Sequence, residues 1–213
     1  MRQRAFGRIV MVGLVLSGCP TAFADVITLG VFPASQSVAL GSPVNVSLQI
    51  TGLGNEAAPS LGTFDVNLNF DPTILSFNSA VFGDPILGDQ LDPTGLGNTI
   101  SFSNPGFGTV ELFDLSLDSA SQLNGLQPAS FILGSLVFDT IGTGTSALDL
   151  TINALGDANG NPLSASLQNG SADVNPVSTV PEPSSALLLA GAAIVMVIRA
   201  RWSYQQDRSR GKR

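Results

Sequence analysis

Two acidic segments hold the residues whose types and spacing could do chemistry. The first places three carboxylates within nine residues, at Asp84, Asp89 and Asp92. The second has oxygen-bearing side chains at alternate positions, Asp157, Asn159 and Asn161. Carboxylate and amide oxygens are the ligands that Ca²⁺ prefers in proteins. Both segments are therefore candidate calcium sites, with a solvated acidic loop as the alternative for the first and an Asn-Gly hairpin turn as the alternative for the second.

The distribution of cations argues against catalysis. All nine Lys and Arg residues lie at positions 2–8 and 199–213 and the chain has no His, so residues 25–180 carry fourteen carboxylates and no cation. This segment also lacks Cys, which leaves no Ser–His or Cys–His pair and no cationic group to stabilise an oxyanion. The one catalytic arrangement that the composition still allows is a pair of carboxylates, as in glycosidases. We expect a protein that is not an enzyme, needs no cofactor other than the candidate calcium, and binds no nucleic acid.

Alternating apolar and polar residues predict an all-β body. One face of a strand is apolar in each of three segments, Val44 to Thr51, Phe64 to Asp71 and Leu148 to Ala154. In residues 109–118 the apolar phase changes at Leu112 and Phe113, which predicts a β-bulge there. About nine strands at this spacing predict a jelly-roll β-sandwich of two sheets. No helix signal is present before the C-terminal segment.

Aromatic residues give only weak support for sugar binding. Stacking platforms for sugars usually use Trp or Tyr, whose rings have both apolar and polar character. The chain has one of each, Trp202 and Tyr204, and both lie beyond the body. Among the Phe residues of the body, only Phe82 and Phe107 lie in or near predicted loops, where they are free to contact a ligand.

One segment of the body resembles the cohesin domain. In Gly62 to Phe77 an alternating strand ends at Phe70, Asp71-Pro72 breaks the strand, and Leu75 lies in the strand that follows. The resemblance extends loosely over residues 26–174. It implies a cohesin-like sandwich that acts as a binding module for a dockerin or a carbohydrate. No cohesin contact motif is recognisable, so the resemblance assigns no pairing residues.

The N-terminus has the form of a secretory signal peptide. Arg2, Arg4 and Arg8 precede an apolar segment from Ile9 to Leu16, and small residues follow. The Ala22-Phe23-Ala24 sequence predicts cleavage after Ala24 by signal peptidase, which makes residues 1–24 the signal peptide. Cys19 follows Leu16-Ser17-Gly18 as in a lipobox, so lipidation of Cys19 is the alternative. We favour cleavage after Ala24, which removes the only cysteine and excludes a disulfide.

The C-terminus carries a short motif, an apolar segment and a basic tail. Val180-Pro181-Glu182-Pro183 precedes residues 184–198, and Arg199 and Arg201 begin the tail. This order resembles the PEP-CTERM sorting signal, which implies recognition by an exosortase. A helix over 184–198 spans about 22 Å, short of the roughly 30 Å hydrocarbon core, so it crosses a membrane only marginally. The basic tail favours a cytoplasmic C-terminus, and an ordinary membrane anchor is the alternative.

Together these features predict a signal peptide, a cohesin-like sandwich and a sorting signal. The predicted boundaries are a signal peptide at 1–24, the sandwich at 25–174, a linker at 175–183, a transmembrane helix at 184–198 and a cytoplasmic tail at 199–213. We predict an exported, surface-sorted, non-catalytic protein that is a structural or binding component of the extracellular polysaccharide matrix. The alternative is a cohesin-type module that binds a dockerin or polysaccharide.

Overall fold

The computed structural model describes residues 26–177, 194–197 and 199, and the last two groups are helical. The predicted cleavage site at Ala22 and Ala24, Cys19, the motif at 180–183 and Arg201 lie outside these residues. Within the described part of the chain, no helix is long and apolar enough to cross a membrane. The compact unit that contains the sandwich ends at Val174, and a second unit begins at Asn175.

Eleven strands in the described residues form two sheets. The first sheet contains β1 (Thr28–Phe32), β3 (Val44–Thr51), β5 (Leu75–Phe82), β8 (Phe131–Thr140) and β10 (Ser166–Gln168). The second contains β2 (Ser35–Ala39), β4 (Leu61–Asn69), β6 (Thr99–Gly106), β7 (Thr109–Ser116), β9 (Gly144–Asp157) and β11 (Gly170–Asn175). The strand orders are β10-β1-β3-β8-β5 and β2-β11-β9-β4-β7-β6. Strand β10 lies parallel to β1, whereas β3, β5 and β8 pair in antiparallel fashion, as do β4, β6, β7 and β9.

The alternating residues face a single apolar core, as the sequence predicts. Leu48, Phe64 and Leu148, one from each of the three alternating segments, are almost fully buried. The exception is Ala154 at the end of the third segment, which is exposed because the pairing of β9 with β4 shifts by one residue between Ile152 and Ala154. The Phe138 ring packs at the centre, with its centroid 5.0 Å from that of Phe70 and 5.9 Å from that of Phe77. Burial of these side chains removes apolar surface from water and is the main source of stability.

The Asp71-Pro72 segment turns the chain from one sheet to the other. The backbone N–H groups of Ile74 and Leu75 both donate to the carbonyl oxygen of Asp71. The Asp71 carboxylate accepts hydrogen bonds from the backbone N–H and the hydroxyl of Thr73, at 2.8 and 2.6 Å. Strand β5 then begins at Leu75, which is fully buried. The motif that resembled a cohesin therefore forms the strand, turn and strand that its sequence predicts.

The predicted β-bulge at Leu112 and Phe113 is wrong. Strand β7 pairs with both β4 and β6 in continuous register. The apolar phase changes because Asp114 occupies an inward position and is only 1% exposed, while Phe113 and Leu115 point outward. An acidic residue in a core position therefore produced the pattern that an inserted residue would give.

Two short strands and one helix were not predicted. Strands β2 and β10 bring the total to eleven rather than about nine. Helix α1 (Ala120–Leu126) contradicts the expectation that the body has no helix. It begins with a capping box in which Ser119 and Gln122 bond each other's backbone N–H groups, and it buries Leu123. Seven residues are too few to show a helical period in the sequence.

Gln127, at the end of α1, joins three parts of the body. Its side chain is fully buried. The Oε1 atom accepts a hydrogen bond from the backbone N–H of Leu61, and Nε2 donates to the carbonyl oxygens of Leu61 and Gln90. One amide therefore satisfies three buried backbone groups, on β4 and on the loop between β5 and β6.

We predict that Gln127→Ala destabilises the body by about 3 kcal/mol, because it leaves three buried backbone groups without partners. Urea unfolding of the full chain measures this change. Gln36→Ala is the matched control, since Gln36 is only half-buried and makes one hydrogen bond, to Asn45. It should cost less than about 1 kcal/mol. Equal losses in the two variants would contradict the prediction.

Candidate functional site

The outer face of the six-stranded sheet carries an aromatic patch. The patch consists of Ile100 and Phe102 on β6 and Phe113 and Leu115 on β7, which lie directly opposite one another. The Phe102 and Phe113 rings stack with centroids 4.9 Å apart and an interplanar angle of 19°. Ile100 is 51% exposed and Phe102 46% exposed. A contiguous group of exposed apolar side chains on a sheet is typical of a binding surface.

A ladder of polar side chains continues the same face on β4 and β9. Asn67 donates to the side-chain oxygen of Asn153, and Asn153 donates to the carboxylate of Asp65, at 3.3 and 2.9 Å. Asn69 donates to the hydroxyl of Thr151 and to the backbone carbonyl of Asp149. These hydrogen bonds join side chains across neighbouring strands and hold them in a fixed array.

The charge on this face is entirely negative. Asp65 and Glu111 lie beside the aromatic patch, and Asp149 lies at the far side of the ladder. The sequence supplies no cation between residues 25 and 180 to neutralise them. An apolar patch with carboxylates around it fits a partner that carries apolar side chains and basic residues.

The three carboxylates of the first acidic segment organise a loop. Asp84 accepts hydrogen bonds from the backbone N–H groups of Ile86 and Leu87, at 2.8 and 3.0 Å. Its other oxygen accepts from Ile132 on β8. Burial favours the neutral acid, but these N–H groups outweigh burial and hold the pKa of Asp84 below its usual range. The Asp84 carboxylate therefore fixes the loop to the five-stranded sheet.

Asp92 accepts hydrogen bonds from backbone N–H groups farther along the same loop. Its oxygens accept hydrogen bonds from the backbone N–H groups of Leu96 and Gly97, at 3.1 and 2.6 Å. These bonds and one from Thr94 outweigh burial and lower the pKa of Asp92. Asp89 is half-buried and accepts from the backbone N–H of Leu91. Burial and the neighbouring Asp92 raise the pKa of Asp89 in spite of that bond.

The second acidic segment forms a tight turn after β9. The Asp157 carboxylate accepts hydrogen bonds from the backbone N–H groups of Asn159 and Asn161, both at 2.8 Å, and from the Asn161 side-chain amide. These donors, the Asn161 amide above all, lower the pKa of Asp157. Gly160 has a φ of 81°, which glycine adopts without strain. This geometry is that of the Asn-Gly turn that was the alternative to a calcium site.

Neither acidic segment forms a cluster of metal ligands. Within residues 26–177, 194–197 and 199, no three His, Cys, Asp or Glu side chains are placed so that they could hold a metal ion. The carboxylates of Asp84, Asp92 and Asp157 point toward backbone N–H groups of their own loops. Calcium binding at these positions stays a prediction.

The exposed Phe residues differ from those that the sequence indicates. Phe107 is 91% exposed at the turn between β6 and β7, as expected. Phe82 instead packs against the core, with its ring centroid 6.4 Å from that of Phe64. The sequence reasoning missed Phe102 and Phe113. The signal for them was the phase change in residues 109–118, which places apolar residues on both faces of β7.

Asp114 is a buried acid without a complete set of partners. It faces the core from β7, and its Oδ1 atom has no hydrogen-bond partner among the described residues. Burial, together with repulsion from Asp89, raises the pKa of Asp114 to about 7. The carboxyl group is therefore largely protonated below neutral pH, which reduces the cost of burying it.

The body is thus a two-sheet β-sandwich with an exposed aromatic patch on its outer face. No protein-family model matches the sequence, and no curated protein matches it. Solved structures show that the sandwich has the cohesin-like fold. A non-cellulosomal cohesin from the archaeon Archaeoglobus fulgidus superposes with a TM-score of 0.52 and 18% identity, over 70% of this chain and 91% of that one.

Two bacterial structures show the same fold. A type I cohesin from Pseudobacteroides cellulosolvens gives a TM-score of 0.55 at 16% identity, over 74% of this chain and 97% of that chain. A chain of a type I cohesin–dockerin complex from Clostridium thermocellum gives 0.55 at 11% identity, over 71% of this chain and all of the other. The likeness confirms the cohesin-like fold.

We predict that the stability of the body falls as the pH rises from about 4 to about 7. In this window the folded chain keeps a proton on Asp114 that the unfolded chain has lost, so the free energy of unfolding falls by up to about 1.4 kcal/mol per pH unit. The lowered pKa values of Asp84, Asp92 and Asp157 act oppositely, and their stabilisation is lost only as the pH falls further. Stability should therefore be greatest in mildly acidic solution.

Urea unfolding at pH 4.5 to 8 tests this prediction with two variants. Asp114→Asn should remove most of the decline, because the amide is neutral at every pH. The smaller decline that remains belongs to Asp89, whose pKa burial also raises. Glu111→Gln is the control, since Glu111 lies on the same strand but faces outward; it should keep the decline. An unchanged decline in Asp114→Asn would show that another group is responsible.

Proposed function

We propose that this protein is a non-catalytic binding module of the cohesin type, whose outer face binds a dockerin-like protein partner. The exposed stack of Phe102 on Phe113 carries the proposal, because it places an aromatic anchor on a regular sheet of a cohesin-like fold. The similar structures include cohesins in complex with dockerins. Aromatic side chains contribute much of the binding energy of protein interfaces.

The surroundings of the stack support a partner with basic residues. Asp65 lies opposite Phe113 on β4, and Glu111 accepts a hydrogen bond from Asn104 on β6. Carboxylates at the rim of an apolar patch increase the rate of association with a basic partner and disfavour acidic ones. Binding to the outer face should therefore weaken as salt is added.

Affinity capture tests the proposal. The chain is used to capture proteins from envelope extracts of the source organism. Each captured protein that contains dockerin repeats is then purified, and its dissociation constant with the chain is measured by calorimetry. We expect Phe102→Ala to weaken binding of a dockerin-like partner by about tenfold or more. Phe107→Ala is the matched control, because it removes an exposed Phe ring outside the patch, and it should leave affinity within about twofold.

Two results would contradict this function. The first is capture that yields no protein with dockerin repeats. The second is a dockerin-like partner whose affinity is the same for the native chain and for Phe102→Ala, since binding would then use another surface.

The polar ladder favours a second candidate, binding to the extracellular polysaccharide matrix. Fixed amide and carboxylate groups such as Asn67, Asn153 and Asp65 offer hydrogen bonds to sugar hydroxyls beside an aromatic stack. Retention of the full chain on insoluble polysaccharide, lost in Asn153→Ala, would support this candidate. If the chain is not retained on polysaccharide, the dockerin-like protein remains as the proposed partner.

We also propose that the protein is exported and sorted through its two ends. The signal-peptide pattern at 1–24, the motif Val180 to Pro183 and the basic tail support this, as does a body without cations. Signal peptidase acts at Ala24 and an exosortase at the C-terminal motif, where the apolar segment contacts the membrane. The cell surface is then the place where the outer face meets its partner.

Mass spectrometry of the chain with a C-terminal epitope tag tests the sorting. In a host with an exosortase we expect a mature N-terminus at Asp25 and loss of the tag. Changing Pro181 and Glu182 to Ala should retain the tag and leave the N-terminus unchanged. A lipidated Cys19, or a tag lost equally in the variant, would contradict the proposal.

A further inference from the structure

A cleft lies on the open side of the sandwich, between β5 and β6. Among the residues that the structure describes, β5 pairs only with β8 and β6 only with β7, so both strands are sheet edges. The cleft has a volume of about 240 Å³, and most of its lining is apolar, including Pro72, Phe77, Pro105, Phe107 and Ile141. Pockets that enclose a whole small molecule usually measure about 300–1,000 Å³. The size of this cleft suits a single large side chain.

The edge strands beside the cleft lack the charged residues that usually block pairing with another chain. An edge strand presents unpaired N–H and C=O groups, and natural proteins usually guard such edges with charged residues, above all Lys. Neither β5 nor β6 contains a charged residue. Strand β6 has Pro105, which limits pairing near its end, whereas β5 has no proline at all. The register of β5 with β8 shifts between Phe77 and Ser79, and a bulge of this kind hinders pairing along the rest of the strand. The segment of β5 that suits pairing with an incoming strand is therefore Leu75 to Phe77, beside the cleft.

The charged residues near the cleft indicate which kind of strand can bind there. Asp71 precedes Pro72 of the lining, and Asp139 lies opposite Ser76 on the neighbouring strand β8. Residues 25–180 hold fourteen carboxylates and no cation, so a second copy of the body is repelled. A chain segment with Lys or Arg is attracted.

We propose that this cleft binds an extended, basic segment of a partner protein by strand addition. The segment pairs with the free edge of β5 and places one aromatic or aliphatic side chain between Phe77 and Phe107. Its Lys or Arg residues lie near Asp71 and Asp139. The site is separate from the outer face and does not depend on the function proposed for that face.

Calorimetric titration of the full chain with synthetic peptides tests this site. The probe is a capped peptide of sequence Lys-Thr-Val-Phe-Val-Thr-Lys, which is extended, apolar at its centre and basic at both ends. We expect binding that weakens by about tenfold or more when both Lys residues of the peptide are replaced by Glu. N-methylation of alternate peptide bonds, on the edge that faces β5, should abolish binding, because it removes the donors that strand addition needs.

Two protein variants locate the site. Phe107→Ala should weaken peptide binding by about tenfold, and because Phe107 is 91% exposed the change does not threaten folding. Phe102→Ala removes an aromatic ring from the outer face and should leave peptide affinity within about twofold. The proposal is overturned if millimolar peptide gives no heat, if the Glu peptide binds equally well, or if Phe102→Ala and not Phe107→Ala reduces affinity. None of these results bears on capture of a dockerin-like partner.

Discussion

The carboxylates of this body cannot form salt bridges with its own side chains, and much of the structure follows from that constraint. Fourteen acids and no cation lie between residues 25 and 180. Asp84, Asp92 and Asp157 are stabilised by backbone N–H groups instead, and in accepting them they shape the loops between strands. Asp114 is the opposite case, because burial without enough donors makes its protonated form the favoured one. The acidic side chains of the body are therefore either stabilised by backbone N–H donors or neutralised by protonation.

The strands could be predicted wherever one face is buried and the other is exposed to solvent. In β3, β4 and β9 that difference gives a period of two that is visible in the sequence. Strands β2 and β10 have no buried residue and so leave no pattern. Helix α1 is too short for a helical period, although the Ser119 and Gln122 spacing of its capping box was a readable signal. The false bulge in β7 arose because the sequence cannot distinguish an inserted residue from an acid in a core position.

Less of the candidate site could be predicted, because it depends on which strands become neighbours. The aromatic patch exists only because β6 and β7 pair with Phe102 opposite Phe113. Those residues are separated by a turn whose register was not evident in the sequence. The cleft depends on contacts between residues even farther apart in the sequence, because β5 and β6 are edge strands of different sheets that lie on the same side of the sandwich. By contrast, Asp157 to Asn161 could be recognised as a turn locally, since its hydrogen bonds lie within five residues.

The parallel pairing of β1 with β10 has a consequence for the order in which the chain acquires its fold. Thr28 lies opposite Ser166, so one edge of the five-stranded sheet stays open until nearly the whole body has been made. The six-stranded sheet likewise receives β11 last, between β2 and β9. Contacts between such distant parts of a chain close slowly, because the loop entropy must be lost before they form. The two sheets of this sandwich are therefore complete only after the last strands, β10 and β11, have been added.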